Sequence, residues 1–135
     1  MTSLNLRRLR PELSNYEQAG NYSWPTTALE EATLAELLAL FGGDKLREVL
    51  SMFRTDLVST MDEINSAIHG QNAERVRFLT HRLKGVCYQI GAINCWTAAS
   101  NLEAASIQSN FSGPALEALH VEGEKLRIEL ENIIR

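Results

Sequence analysis

The sequence has few of the residues from which zinc sites, disulfide scaffolds and membrane anchors are built. Its 135 residues include two cysteines and three histidines. Cys87 and Cys95, without further cysteines or a suitably spaced histidine, do not complete a zinc site, and we expect them to be reduced thiols of a cytoplasmic protein. No apolar run approaches the ~20 residues that cross a bilayer, and the N-terminus lacks a signal-peptide core. We therefore expect no membrane contact by this domain.

Proline is also scarce, and its three positions interrupt an otherwise helical pattern. Pro11 and Pro25 disfavour helix within residues 1–27, which have no sustained period and are predicted to be a linker or N-terminal extension. Pro114 suits the first position of a helix. No stretch alternates with the period of a strand. Residues 28–135 are therefore predicted to form one all-α domain.

Five helices are predicted from apolar residues three and four positions apart. Their boundaries follow from capping and stop signals. Thr26 or Thr27 can cap the first helix, with Glu30 three residues after Thr27 completing a capping box, and Gly42-Gly43 ends it. Asp44 and Asn72 cap the second and third helices, and the third stops near Gly91. The fourth begins within Ala92 to Asn94, and the fifth begins at Pro114. Short connectors favour an antiparallel up-down four-helix bundle, with the short first helix as an additional N-terminal element.

The third predicted helix places a histidine on its solvent side. At ~100° per residue, its apolar positions share an arc of roughly 80° (Val76, Leu79, Leu83, Val86 and Ile90). His81 lies about 180° from the centre of that arc, so its imidazole is expected to face water. A lone exposed histidine is most often an ordinary surface residue. However, Gly85 one turn further on costs ~1 kcal/mol relative to alanine, which indicates a close approach at that point.

The surroundings of His81 are positively charged, although the chain carries a net charge of −4. Against the single acid Glu74, the third helix has four basic residues: Arg75, Arg77, Arg82 and Lys84. This local field suits an acidic partner or a phosphoryl group, while the net charge argues against nucleic acid as the main partner. Tyr88 and Phe78 also lie on the outer side of this helix, and Phe78 is either part of an apolar docking patch or covered by the N-terminal extension.

The sequence supplies only part of a catalytic site around His81. A neutral imidazole is a competent nucleophile near pH 7. No triad orienter, nucleotide-binding loop or Mg²⁺-binding carboxylate cluster accompanies it. The single Glu117-x-x-His120 motif is half of what a di-iron bundle needs, so a di-metal site is not expected. We expect no cofactor of its own, and any metal would come from a partner.

The pattern His81-x-x-Lys84-Gly85, followed by Gly91-Ala92 and Leu102-Glu103, resembles the histidine phosphotransfer (HPt) domain of multistep phosphorelays. The resemblance spans roughly residues 29–134 and implies the same four-helix bundle. It implies a phosphocarrier that is not an enzyme by itself: His81 accepts a phosphoryl group from one receiver domain's phospho-aspartate and passes it to another receiver's aspartate, with Mg²⁺ supplied by the receiver. The irregular N-terminus favours the C-terminal, cytoplasmic module of a bacterial hybrid sensor histidine kinase.

The resemblance also implies roles for individual residues. Glu103 would accept a hydrogen bond from the imidazole of His81, and Lys84 would neutralise the phosphoryl group. Gly85 would admit a receiver loop, and the docking residues would be Gly85, Arg77, Phe78, Arg82 and Tyr88. Glu103 falls on the apolar side of the fourth helix, where a carboxylate needs a partner because burying it unpaired is costly. Otherwise it would lean out to solvent at the bundle edge.

Two other functions remain open on the sequence. One is a helical interaction or scaffold module without phosphotransfer, although His81, Lys84 and Gly85 are all present. The other is a histidine kinase dimerisation domain, a family that favours an acidic residue after the histidine and a downstream proline. Here Arg82 follows His81, and the next proline is Pro114. An HPt bundle takes four helices from one chain and is expected to be a monomer, whereas the dimerisation domain must pair.

Overall fold

The computed structural model describes residues 28–109, 111 and 113–134, and every regular element in them is an α-helix. The helices are α1 (Glu31–Phe41), α2 (Gly43–His69), α3 (Ala73–Ile90), α4 (Ile93–Ile107) and α5 (Pro114–Ile134). The predicted all-α class and the helix start at Pro114 are confirmed. The predicted N-terminal extension and the caps at Thr26 or Thr27 lie outside the described residues.

Helices α2 to α5 form an antiparallel up-down four-helix bundle. Each packs against the next in the chain, and α5 closes the ring against α2, while α1 packs on α2 and α3 at one end. Leucines and isoleucines from every helix are completely shielded from water, among them Leu34, Leu50, Leu79, Leu102 and Leu130. The stripes of the individual helices thus merge into one core. On α3 the buried face differs from the predicted apolar arc, since Thr80 and Cys87 are buried whereas Val86 is half-buried.

Helix α3 is fixed at both ends, which makes it a rigid support for His81. At its start, the Asn72 side chain accepts a hydrogen bond of 3.1 Å from the Arg75 amide, so the predicted cap is confirmed. At its end, Gly91 adopts the left-handed conformation with φ 78°, in which its own amide and that of Ala92 bond the last carbonyls of the helix. The Gly91 carbonyl accepts a hydrogen bond of 2.8 Å from the Glu30 amide, which ties α3 to the start of α1.

The segment before α1 is also tied to α5. The amides of Ala28 and Leu29 donate to the two carboxylate oxygens of Glu129, at 3.2 and 3.0 Å. Both side chains are buried. Residues 28–30 are therefore held at the same end of the bundle as the α3–α4 turn.

The predicted start of α2 is wrong, and α1 begins later than its predicted capping box would place it. α1 begins after Glu30, whose side chain makes no backbone cap and instead accepts a hydrogen bond of 2.5 Å from the Thr33 hydroxyl. α2 begins at Gly43 and is not capped by Asp44, which lies in its first turn. The start of α2 differs from the prediction because Gly42, with its φ of 81°, both ends α1 and caps α2.

Both cysteines are buried and free. The hydrogen bond with Cys95, together with burial, raises the pKa of the Cys87 thiol, so this sulfur is an unreactive core group.

Within the described residues, none of the helices has the length and apolarity required to cross a bilayer.

Two glycines of this region should respond oppositely to alanine. An added Cβ at Gly91 would lie 2.7 Å from Thr33 Cβ at a φ that disfavours alanine, so Gly91→Ala should destabilise the fold by about 1–3 kcal/mol. At Gly85 a Cβ meets no atom within 4 Å, and Gly85→Ala should stabilise the helix by about 0.5–1 kcal/mol. Urea unfolding of both variants measures the difference, and shifts of the same sign would contradict it.

Candidate functional site

His81 projects from the middle of α3, with its side chain 77% exposed. Its Nδ1 atom lies 3.2 Å from Oε2 of Glu103 on α4. Because an ionised carboxylate can only accept, this contact places the ring proton of the neutral imidazole on Nδ1. The lone pair on Nε2 is then free to act as a nucleophile.

The Glu103 carboxylate is shared between His81 and Lys84. Lys84 Nζ donates to Oε1 of Glu103 at 2.9 Å, and both side chains are less than one quarter exposed. Burial by itself raises the pKa of Glu103, but the hydrogen bond and charge of Lys84, with a smaller effect of His81, outweigh it and hold that pKa below its ordinary value. Glu103 is therefore ionised at neutral pH and has two partners instead of leaning out into solvent.

Trp96 is a further member of this cluster, and it was not predicted as a site residue from the sequence. Lys84 Nζ lies 5.4 Å from the centre of its ring, within the range of a cation–π contact. Trp96 and Glu103 are seven residues apart on α4 and share one face of it. This spacing could have indicated the contact from the sequence, because it places the indole beside the partner of the carboxylate.

The other side of α3 carries a second ionic cluster, centred on Glu63 of α2. Arg82 donates to Oε1 of Glu63 at 3.3 Å and to the hydroxyl of the buried Thr60 at 2.9 Å. Arg75 donates to Oε2 of Glu63 at 3.3 Å. The positive field predicted around His81 is thus divided, because these two arginines are bound to α2 and Lys84 is bound to α4. Neither Glu63 nor Thr60 was singled out from the sequence.

The remaining predicted docking residues lie on the open surface of α3. Tyr88 is 71% exposed and Phe78 is 55% exposed. Gly85 leaves open space above the helix. Arg77 is half-buried and forms no ion pair within the described part of the chain. Whether the N-terminal extension reaches Phe78 is a question that lies outside the described residues.

No group of three or more His, Cys, Asp or Glu side chains in the described residues is arranged to hold a metal ion. His120 of the Glu-x-x-His motif instead has its Nε2 atom 2.8 Å from Oδ1 of Asn65 on α2. The geometry around His81 allows nucleophilic attack by its Nε2 atom beside an ionised carboxylate and an ammonium group.

We expect Glu103→Ala to change the tautomer of His81. In the wild type the Glu103 carboxylate should keep the neutral ring protonated on Nδ1, whereas free imidazole side chains in water are not held in one tautomer. Long-range ¹H–¹⁵N spectra at alkaline pH measure this directly. Glu63→Ala is the matched control, since it removes a half-buried carboxylate on the opposite side of α3, and an identical His81 signal in both variants would contradict the prediction.

Comparison with known proteins agrees with this geometry. A family model described as the Hpt domain matches residues 48–135, which contain most of α2 and all of α3, α4 and α5. No curated protein was found that matches the chain. Among solved structures, the chain is similar to the crystal structure of histidine-containing phosphotransfer protein B (HptB) from Pseudomonas aeruginosa PAO1, with a TM-score of 0.72 and 20% identity over 79% of this chain and 94% of that one. At this identity the structural likeness concerns the fold, whereas the family model covers well over half of the sequence. The chain belongs to the Hpt domain family.

Proposed function

We propose that this chain is a phosphorelay intermediate, which accepts a phosphoryl group on Nε2 of His81 from the phospho-aspartate of one receiver domain and passes it to the aspartate of another. The observation that carries the proposal is the pairing of His81 with Glu103. It leaves an exposed, unprotonated Nε2 on a helix that is fixed at both ends. Family membership supports the same chemistry.

The transfer step can be written with the groups that are present. The lone pair of Nε2 attacks phosphorus, and the bond between phosphorus and the aspartyl oxygen breaks with its electron pair left on the aspartate carboxylate. The Nδ1 proton stays on the ring, where ionised Glu103 offsets the positive charge that develops on the imidazole. Transfer to the second receiver is the reverse of this step. The receivers supply Mg²⁺ and the acidic pocket.

Lys84 is proposed to neutralise the phosphoryl oxygens. In the unphosphorylated chain its ammonium group is bound to Glu103 and lies over Trp96. A phosphoryl group on His81 would place a second anion near this ammonium. Lysine has a flexible stem and three donors, so it can bind both anions or exchange one for the other.

Gly85 is proposed to admit the receiver backbone. The fold does not require glycine there, because an added Cβ would meet nothing within 4 Å. The helix thus keeps a residue that lowers its stability for a reason that lies outside the chain, and this residue lies one turn from His81.

The chain itself is proposed to act as a cytoplasmic monomer, since one copy supplies all four helices of the bundle. A kinase dimerisation domain would need two copies.

Label transfer from an aspartate-phosphorylated receiver domain tests the relay role. The wild type should acquire an acid-labile, base-stable phosphoryl group, and His81→Gln should acquire none. His69→Gln and His120→Gln are matched controls, since both residues are exposed histidines on other helices and should be labelled as the wild type is. A folded, monomeric wild type that no receiver labels would favour the interaction-module alternative.

Gly85→Glu should abolish transfer from the receiver while the bundle stays folded, because its side chain enters the space that the partner needs. Phosphoramidate, a small donor whose P–N bond breaks with loss of ammonia, needs no docking surface and should still label this variant. Normal receiver transfer kinetics in Gly85→Glu would contradict the role of Gly85. Urea unfolding checks that the variant is folded.

A further inference from the structure

The solvent side of α3 is divided into two flanks by His81. At ~100° per residue, Gly85 and Phe78 lie about 40° and 60° from His81 in one direction, and Lys84 lies about 60° in the other. The contacts identify the directions, because Arg82 on the Phe78 side binds Thr60 of α2 and Lys84 binds Glu103 of α4. We call the first the α2 flank and the second the α4 flank.

Phe78 on the α2 flank is held between two fixed guanidinium groups. Arg75 and Arg82 lie about one turn before and one turn after it, and their Cζ atoms are 5.4 and 6.0 Å from the centre of its ring. Each arginine is bound to a different oxygen of Glu63, and Arg82 is further anchored by Thr60. An aromatic ring that is 55% exposed is thus surrounded by an ordered ionic network.

This arrangement has the properties of an interface anchor. Aromatic residues and arginine are enriched at interface centres and dominate binding energy there. Prior ordering of these side chains lowers the entropy that docking costs. Two guanidinium groups against one carboxylate leave the cluster with a net charge of +1. A complementary surface would place an apolar group on the ring and a carboxylate at the guanidinium edges.

We propose that Phe78, fixed by Arg75 and Arg82, is the anchor by which a receiver domain docks, so that its aspartate reaches Nε2 of His81 from the α2 flank. This inference rests on the proposed function. The opening at Gly85 lies on the same flank, whereas the α4 flank is occupied by the Lys84–Glu103 pair. Glu63 is a positioning residue, which acts through the two arginines.

The test compares two phosphodonors on each variant. The protein donor is a receiver domain that labels the wild type, chosen from a panel of isolated receivers phosphorylated with acetyl phosphate and Mg²⁺. The small donor is phosphoramidate. The ratio of the two initial rates at low receiver concentration reports docking, because the chemistry at His81 is common to both reactions.

Phe78→Ala should lower this ratio about tenfold through a higher KM for the receiver. Glu63→Gln should lower it by a smaller factor, about two- to fivefold, because it loosens the arginines and leaves the ring in place. Ile128→Ala is the matched control: Ile128 is 47% exposed, and within the described residues its helix α5 packs on α2 and α4 but not on α3.

A ratio for Phe78→Ala within about twofold of the wild type, or an equal fall in Ile128→Ala, would overturn the anchor. An unchanged ratio in Glu63→Gln would overturn the positioning role of Glu63. A wild type that the receivers never label would overturn the proposed function and the docking inference with it. That result is distinguishable from the others because it appears before any substitution is made.

Discussion

Glu103 on α4 contacts both His81 and Lys84, and so links the site around the imidazole to the packing of α4 against α3. Each of its carboxylate oxygens has one partner on α3, the imidazole on one and the ammonium of Lys84 on the other. The Lys84–Glu103 ion pair is partly buried, so solvent and salt screen it less than they would screen a pair on the exposed surface. The same contacts set the tautomer of the ring, the position of the lysine and the alignment of α3 with α4. The alignment in turn depends on the two-residue connection at Gly91 and Ala92, more than two turns from the imidazole.

Much of the fold and the centre of the site could be predicted because they are properties of single helices. Apolar spacing gave the number and order of the helices, and the angle of His81 on α3 predicted its exposure. Glu103 was named from the resemblance to HPt domains, which implied its contact with His81, while its place on an apolar arc indicated only that the carboxylate needs a partner. Glu63, Thr60 and the contact of Trp96 with Lys84 were missed, because each depends on the register of one helix against another. The start of α2 was wrong because one glycine, Gly42, both ends α1 and begins α2.

The basic residues of α3 show why composition alone misjudges an electrostatic surface. Four basic residues against one acid suggest an unpaired positive field, but Arg75 and Arg82 are bound by Glu63 and Lys84 by Glu103. Each carboxylate cancels part of the field of its basic partners and orients their side chains. An approaching surface would meet oriented hydrogen-bond donors around the Phe78 ring and the His81 imidazole. This arrangement favours specificity over non-specific electrostatic attraction.

The tie between residues 28–30 and the bundle has a consequence for any domain that is joined upstream. With Ala28 and Leu29 bound to Glu129 and Glu30 bound to Gly91, the chain enters the bundle at a fixed point. That point is ten residues along α3 from His81, or about 15 Å at 1.5 Å per residue. The effective concentration of a receiver joined upstream would then depend on how well the length of the joining segment matches this distance. A displacement of that segment would act on the hydrogen bonds to Glu129 and to the Gly91 carbonyl before it reached the contacts of His81.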